Sequence, residues 1–318
     1  ALNLDSNPFQ GFNNNAIETF FRGVSRNSSI RELEFCNTDL SGEGICKYLR
    51  PFFQNNHNLS VLGMGRCTFR AGCARQLSMA LRGGKSLKSV RLEDIVIEDG
   101  QFPEIIAGLS MHSQLEELQL EGVSISNEDT SIGPNIFLAL SNVLRSTANL
   151  QELDLCNNGI DDERVDVLVG ALANSRLCKL FLSSNHITGR GCQSLAMLLE
   201  RPNSSLEEIY LANNDIGDEG ALIFANALAN NCKLKILSLP RYGITNEGWS
   251  SFSKVLCDTS SVNNTFLSNH TLESLGFSSN LPPDINSLLA LNQSSEDKTQ
   301  VAIKKILKHH RHFDMQSF

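Results

Sequence analysis

The sequence is short of charge, and of cations in particular. Only 19% of its 318 residues are charged, and 27 Lys and Arg face 35 Asp and Glu, for a formal net charge of -8. Binding along a nucleic-acid backbone needs clustered Lys and Arg to displace counterions, so nucleic acid is not the expected partner. No apolar run reaches the length that spans a bilayer, and 41% hydrophobic content with so little charge argues against disorder. The nine cysteines (Cys36, Cys46, Cys67, Cys73, Cys156, Cys178, Cys192, Cys232 and Cys257) are odd in number and contain no C-x-x-C pair. That spacing is neither a zinc site nor a disulfide framework. It fits mostly buried thiols in a reducing compartment, so a cytoplasmic location is expected. Sequons such as Asn27-Ser28-Ser29 and Asn203-Ser204-Ser205 arise by chance in a chain rich in Asn and Ser.

Catalytic signatures are equally scarce. Gly83-Gly84-Lys85-Ser86 has the ending of a phosphate-binding loop, but that loop needs Gly where Met79 stands and a strand leading into it. A helix-to-strand turn is the better reading. His309, His310 and His312 have no acidic or cysteine partner at a fixed spacing, which suits the solvated face of a helix more than a metal site. No Ser-His-Asp or Cys-His order stands out, although such groups meet only in space. No cofactor, metal or catalytic group is therefore expected, and the chain reads as non-enzymatic.

What is abundant is leucine at fixed spacing. The pattern L-x-x-L-x-L-x-x-N-x-L, with Ile, Val, Phe or Met substituting, begins at Ile30, Leu59, Leu87, Leu115, Leu150, Leu177, Leu206, Leu234 and Leu272. The intervals of 29, 28, 28, 35, 27, 29, 28 and 38 define a unit of 28 or 29 residues with two insertions. Three copies are nearly ideal, ending in Asn158 and Ile160, Asn185 and Ile187, and Asn214 and Ile216. The L-x-L core alternates like a strand, and the stretch after it turns to helical periodicity, most clearly from Gly220 to Leu228. Asp218 and Glu219 ahead of that stretch favour a helix N-terminus. One unit cannot bury its apolar side alone. Stacked units bury a continuous core at about 1.5–3 kcal/mol per large side chain, which predicts an α/β solenoid, or horseshoe, with parallel strands on the concave face and helices on the convex one.

These strand motifs, together with the helix opening Asp218-Glu219-Gly220-Ala221-Leu222, resemble the ribonuclease-inhibitor-like subfamily of leucine-rich-repeat proteins over nearly the whole chain. The resemblance implies that the motif Asn bonds backbone groups in the turn after the strand, at Asn158, Asn185, Asn214 and Asn280. Thr38, Cys67, Ile95, Val123 and Tyr242 hold that position elsewhere, so less regular turns are expected in the first half. The tail from 300 to 315 is similar to one attached to uncharacterised predicted repeat proteins of algae, a likeness that brings no activity with it.

Residues 1–283 are expected to form the solenoid, and 284–318 a C-terminal capping helix and basic tail. The first repeat is incomplete: residues 1–9 are the second half of a strand motif with no polar cap, which predicts a native chain extending upstream of Ala1. At the other end Ile303, Ile306, Leu307, His310 and Phe313 are expected to close the last repeat. The insertions at 126–134 and 258–271 are expected to be mobile rim loops.

Side chains beside the strand leucines alternate toward the concave face. Reading them off gives Glu32, Glu34, Glu93, Glu117, Glu121, Glu152, Asp154 and Glu208 against Arg91 and Lys179. This predicts an acidic lane binding a protein or basic peptide, with Glu93, Glu117, Glu121, Glu152 and Asp154 steering the approach and Phe181 and Tyr210 as anchors. The competing reading is solvated filler. The expected function is a non-catalytic protein-protein interaction scaffold. One alternative is a GTPase-activating protein of the Ran-regulator type, whose acidic C-terminal stretch is replaced here by Lys304, Lys305, Lys308 and Arg311. Another is the ligand-sensing repeat region of a larger receptor, for which no nucleotide-binding module is present.

Overall fold

A computed structural model describes residues 1–4, 14–37, 43–69, 72–97, 102–125, 134–173, 175–276, 281–294 and 297–311, with 14, 15, 17, 43–47, 124, 125 and 134 described by backbone alone. The strands are β1 (Leu2–Asn3), β2 (Glu32–Cys36), β3 (Val61–Gly65), β4 (Thr68–Phe69), β5 (Ser89–Glu93), β6 (Val96–Ile97), β7 (Glu117–Gln119), β8 (Ser124–Ile125), β9 (Glu152–Asp154), β10 (Lys179–Phe181), β11 (Glu208–Tyr210) and β12 (Ile236–Ser238). The helices are α1 (Asn14–Ser25), α2 (Glu43–Asn55), α3 (Cys73–Gly83), α4 (Phe102–Leu109), α5 (Pro134–Ser146), α6 (Asp162–Ala171), α7 (Gly189–Leu199), α8 (Gly217–Leu228), α9 (Asn246–Leu256), α10 (Val262–Leu267), α11 (Pro283–Asn292) and α12 (Lys298–His309).

Two compact units result: Ala1–Ile160 with Val167–Phe181, and Asp161–Asp166 with Leu182–Phe318. In the first, β1, β2, β3, β5, β7, β9 and β10 pair in that order, every pair parallel. The register matches motif position to motif position, so Leu33, Leu62, Val90, Leu118, Leu153 and Leu180 stand side by side, all fully buried. In the second unit β11 pairs in parallel with β12, and a bridge from Ile236 to Ser274 adds the last motif. Strands pair with strands and helices pack on helices of the next repeat. Each unit is thus a stretch of α/β solenoid.

In the seven repeats opening from Ile30 to Leu206 one left-handed residue turns the chain out of the strand: Asn37, Arg66, Asp94, Gly122, Asn157, Ser184 and Asn213 all have φ between 49° and 63°. Each stands seven residues after its motif's opening residue, where Asn, Asp and Gly tolerate the conformation best. In the last three of these repeats the next residue is the motif Asn. Asn158 is buried; its Nδ2 donates to the Leu120 carbonyl at 2.6 Å and its Oδ1 accepts from the Val123 N–H at 3.1 Å. Asn214 does the same with the Leu182 carbonyl at 2.9 Å and the Ile187 N–H at 3.0 Å. Asn185 donates to the Leu182 carbonyl at 2.9 Å; Asn280 and Thr38 lie outside the described residues.

The first half, where less regular turns were expected, is ordered differently. Cys67, Ile95 and Val123 are buried at the Asn position, and β4, β6 and β8 form a second, three-stranded parallel sheet just beyond it. There the Val96 N–H donates to the Cys67 carbonyl at 3.0 Å, and the Cys67 thiol, standing in for the Asn amide, donates to the Phe35 carbonyl at 3.4 Å. Gly83 ends α3 and Gly84 is extended, with φ -99° and ψ 162°, so the loop before Lys85 is the helix-to-strand turn.

The C-terminal helix corrects the sequence expectation. Its buried face is Val301, Ala302 and Lys305, while Ile303 and Leu307 are 39% and 57% exposed and Ile306 and His310 are half-buried. Phe313 lies outside the described residues. The apolar stripe points outward because Lys305 turns inward to polar partners at the end of the last repeat. The second insertion also carries structure. Its segment forms α10, N-capped by Ser261, with Thr265 buried and bonded to the Asp258 carbonyl at 2.8 Å. The first insertion lies, but for Pro134, outside the described residues.

Candidate partner-binding face

On the strand face of the first unit the residues between the core positions form rows. One row runs Glu32, Val61, Ser89, Glu117, Glu152 and Lys179; the next runs Glu34, Gly63, Arg91, Gln119, Asp154 and Phe181. A Cβ at Gly63 would meet Glu34 Cγ at 3.3 Å, so the Glu34 side chain lies across the space that Gly63 leaves.

The predicted carboxylates divide into two kinds. Glu117 is held by Arg91, Nε to Oε1 at 3.2 Å and Nη2 to Oε2 at 3.3 Å, and also accepts from Ser89 Oγ at 2.7 Å and Gln119 Nε2 at 2.6 Å. Burial pushes the Glu117 carboxyl up, but the bonds from Arg91 and Ser89 outweigh it and leave it below the usual carboxylate range. Glu152 faces Lys179 at 3.7 Å. Glu117 and Glu152 are thus each compensated. Glu93, Glu121 and Asp154 stand at the strands' C-terminal edge, and no ion pair among the described residues offsets them. Burial first, then the charges of Asp154, Glu93 and Asp94, holds the Glu121 carboxyl above its ordinary range. Asp94 itself lies 3.8 Å from Arg66.

Phe181 is half-buried in β10, in register with Asp154. An aromatic ring therefore adjoins the uncompensated edge within the first unit. Tyr210 lies in the second unit, third in its strand as Phe181 is in β10, with its hydroxyl donating to Glu208 Oε2 at 2.7 Å.

The sequence reading missed a set of buried polar side chains on the far side of five repeats. In the first unit Asn56 donates to the Phe52 carbonyl at 3.0 Å, Thr147 to that of Val143 at 2.9 Å, and His112 Nε2 lies 2.9 Å from that of Leu81. In the second, Asn231 and Asn269 donate to the Leu199 and Leu228 carbonyls at 2.8 and 2.9 Å and accept from the backbone leading into the next motif. Each stands three residues before a motif's opening Leu. That fixed offset was the signal that could have revealed them.

The Leucine Rich Repeat family pattern matches residues 149–171, 176–196 and 203–225, where the three nearly ideal motifs lie. The chain is 28% identical over 221 residues to the ribonuclease inhibitor of Sus scrofa, covering 68% of this chain and 47% of that protein. Its leucine-rich repeats resemble those of the ribonuclease inhibitors. This leucine-rich-repeat chain is also 29% identical to the ribonuclease inhibitor of Mus musculus, over 80% of this chain and 55% of that one. To the "NACHT, LRR and PYD domains-containing protein 3" of Macaca mulatta it is 25% identical, over 83% of this chain and 26% of that one. The repeat chain thus spans about half the length of the inhibitors and a quarter of the NACHT protein. Among its described residues no helix is long and apolar enough to cross a membrane.

Proposed function

We propose that this chain is a non-catalytic protein-interaction scaffold whose strand face takes a basic segment of another protein. The observation that carries the reading is the edge formed by Glu93, Glu121 and Asp154, where burial and mutual repulsion raise the Glu121 carboxyl and no ion pair among the described residues neutralises these three. An incoming Lys or Arg relieves that repulsion, with an attraction of about 1–4 kcal/mol at 4 Å between the water and near-surface limits. Phe181, one strand pair away, supplies the apolar contact that charge alone lacks. Relatives named ribonuclease inhibitor, whose name describes action on another protein, support a binding role.

The test places a photo-crosslinking phenylalanine analogue at position 181 of the full chain, with a second at Leu222 on the exposed side of α8 as control. Covalent capture from position 181 of a protein through a Lys- or Arg-rich peptide, abolished by Glu121→Lys with Asp154→Lys, is the expected result. Capture unaffected by those two substitutions overturns the reading.

A second reading, the ligand-sensing repeat region of a larger receptor, is supported by the match to a quarter of the NACHT protein. An antibody to this chain detecting, in its source cells, only a species of 318 residues would remove it.

A further inference from the structure

Lys305 is fully buried in the second unit. Its Nζ donates to the Leu256 carbonyl at 2.7 Å, the Asn269 carbonyl at 3.2 Å and His270 Nδ1 at 3.1 Å. An ammonium has three N–H donors and no acceptor, so these partners use all three, and the third needs a bare lone pair on Nδ1. The other ring nitrogen of His270 lies 3.1 Å from the Phe266 carbonyl, a contact that only Nε2–H can make. The two partners together fix the neutral tautomer. A proton added to His270 lands on Nδ1, where it removes the acceptor and opposes a second positive charge.

The acceptors lie at the end of α9 and just after α10, so the bonds tie α12 to the last repeat. Besides the Lys305–His270 pair, the titratable groups bearing on it are Cys257 and Lys298, with Lys308 and His309 further along α12. Lys298 is engaged by Glu273 at 3.4 Å and His310 by Thr265 at 2.8 Å. No carboxylate acts on either member of the pair among the described residues.

We propose that Lys305 and His270 form an acid-released latch, which holds α12 on the last repeat near neutral pH and lets it go when His270 takes a proton. Release uncovers the faces of α10 and α11 against which α12 packs, so the surface this end presents depends on pH. Burial, and then the Lys305 charge, holds His270 down to about 4, and burial holds Lys305 down to about 8. With His270 depressed from 6.5, docking is fully supported above that pH and loses support as pH falls toward 4. The depressed Lys305 acts in the same sense between about 10.5 and 8. Linkage at His270 gives an opening equilibrium about thirtyfold larger at pH 5 than at pH 7.5.

Hydrogen exchange of the full chain, read by mass spectrometry and corrected for intrinsic rates, tests this, with α8 as internal reference. Opening of α12 relative to α8 is expected to rise at least about tenfold from pH 7.5 to pH 5. His270→Gln, which offers Lys305 a neutral carbonyl acceptor, should hold that change below about threefold. Equal pH dependence in wild type and variant, or none in wild type, overturns the latch. Should the variant fail to fold, titration of His270 by NMR in the wild type decides: a midpoint above about 6 overturns it.

Discussion

The Asp162 carboxylate takes both the backbone N–H and the hydroxyl of Thr188, at 2.9 and 2.7 Å, tying the start of α6 to the start of α7. Asp218 and Thr245 repeat the arrangement one pair of repeats later, both contacts at 2.7 Å. The close approach also explains a glycine, since a Cβ at Gly191 would stand 2.4 Å from Asp162 Oδ1 and 2.8 Å from Ile187 Cγ2. Asp162→Ala is expected to cost about 1 kcal/mol. Gly191→Ala should cost less in the Asp162→Ala background than in wild type, with a coupling of at least about 0.5 kcal/mol in urea-midpoint shifts. Strict additivity would contradict the steric account.

Asn158→Ala leaves the Leu120 carbonyl and Val123 N–H without their shared partner in a buried turn. A loss of about 2–3 kcal/mol is expected by denaturant titration. Asn149→Ala, which removes an exposed bond to the Ser113 carbonyl, should cost less than about 1 kcal/mol.

Glu121 has a raised carboxyl pKa, so its ionisation opposes folding: relative to an unperturbed Glu, stability is greatest below the unfolded pKa and is lost as pH rises through the folded one. Glu121→Gln should therefore stabilise the fold at pH 7, by no more than about tenths of a kcal/mol after solvent screening and so with only a slight rise in melting temperature, and not at pH 3.5. The same substitution should weaken partner binding. Melts that show no gain at pH 7 would remove the repulsion argued for this edge.

Cys192 is buried, and burial first, then Asp162 and Glu219, pushes its thiol up to about 12. Cys232 is exposed. Native alkylation should label Cys232 and leave Cys192 untouched, and labelling after denaturation without reductant should reach all nine cysteines. A pair left unlabelled would argue for a bridge and an oxidising compartment.

The leucine spacing made the repeat and the Asn158 and Asn214 turns legible, because a period of 28 or 29 residues forces identical positions into register. Lys305 escaped notice because hydropathy places lysine outside, and only the carbonyls of Leu256 and Asn269 explain its burial. α10 escaped because an insertion rich in Asn and Ser reads as loop until its caps and the Thr265 bonds are seen. At the candidate site the acidic character was readable. Which carboxylates are already compensated was not, since the Arg91–Glu117 pair is diagonal to a strand register that sets Ser89, not Arg91, opposite Glu117.

Association kinetics between the full chain and the partner captured from position 181, at two salt concentrations, decide whether the acidic edge binds. Glu121→Lys with Asp154→Lys is expected to slow association at least about tenfold at low salt and flatten its salt dependence, while Phe181→Ala mainly speeds dissociation. If neither variant changes affinity by more than about threefold while the repeats stay folded, the acidic edge is not the binding face.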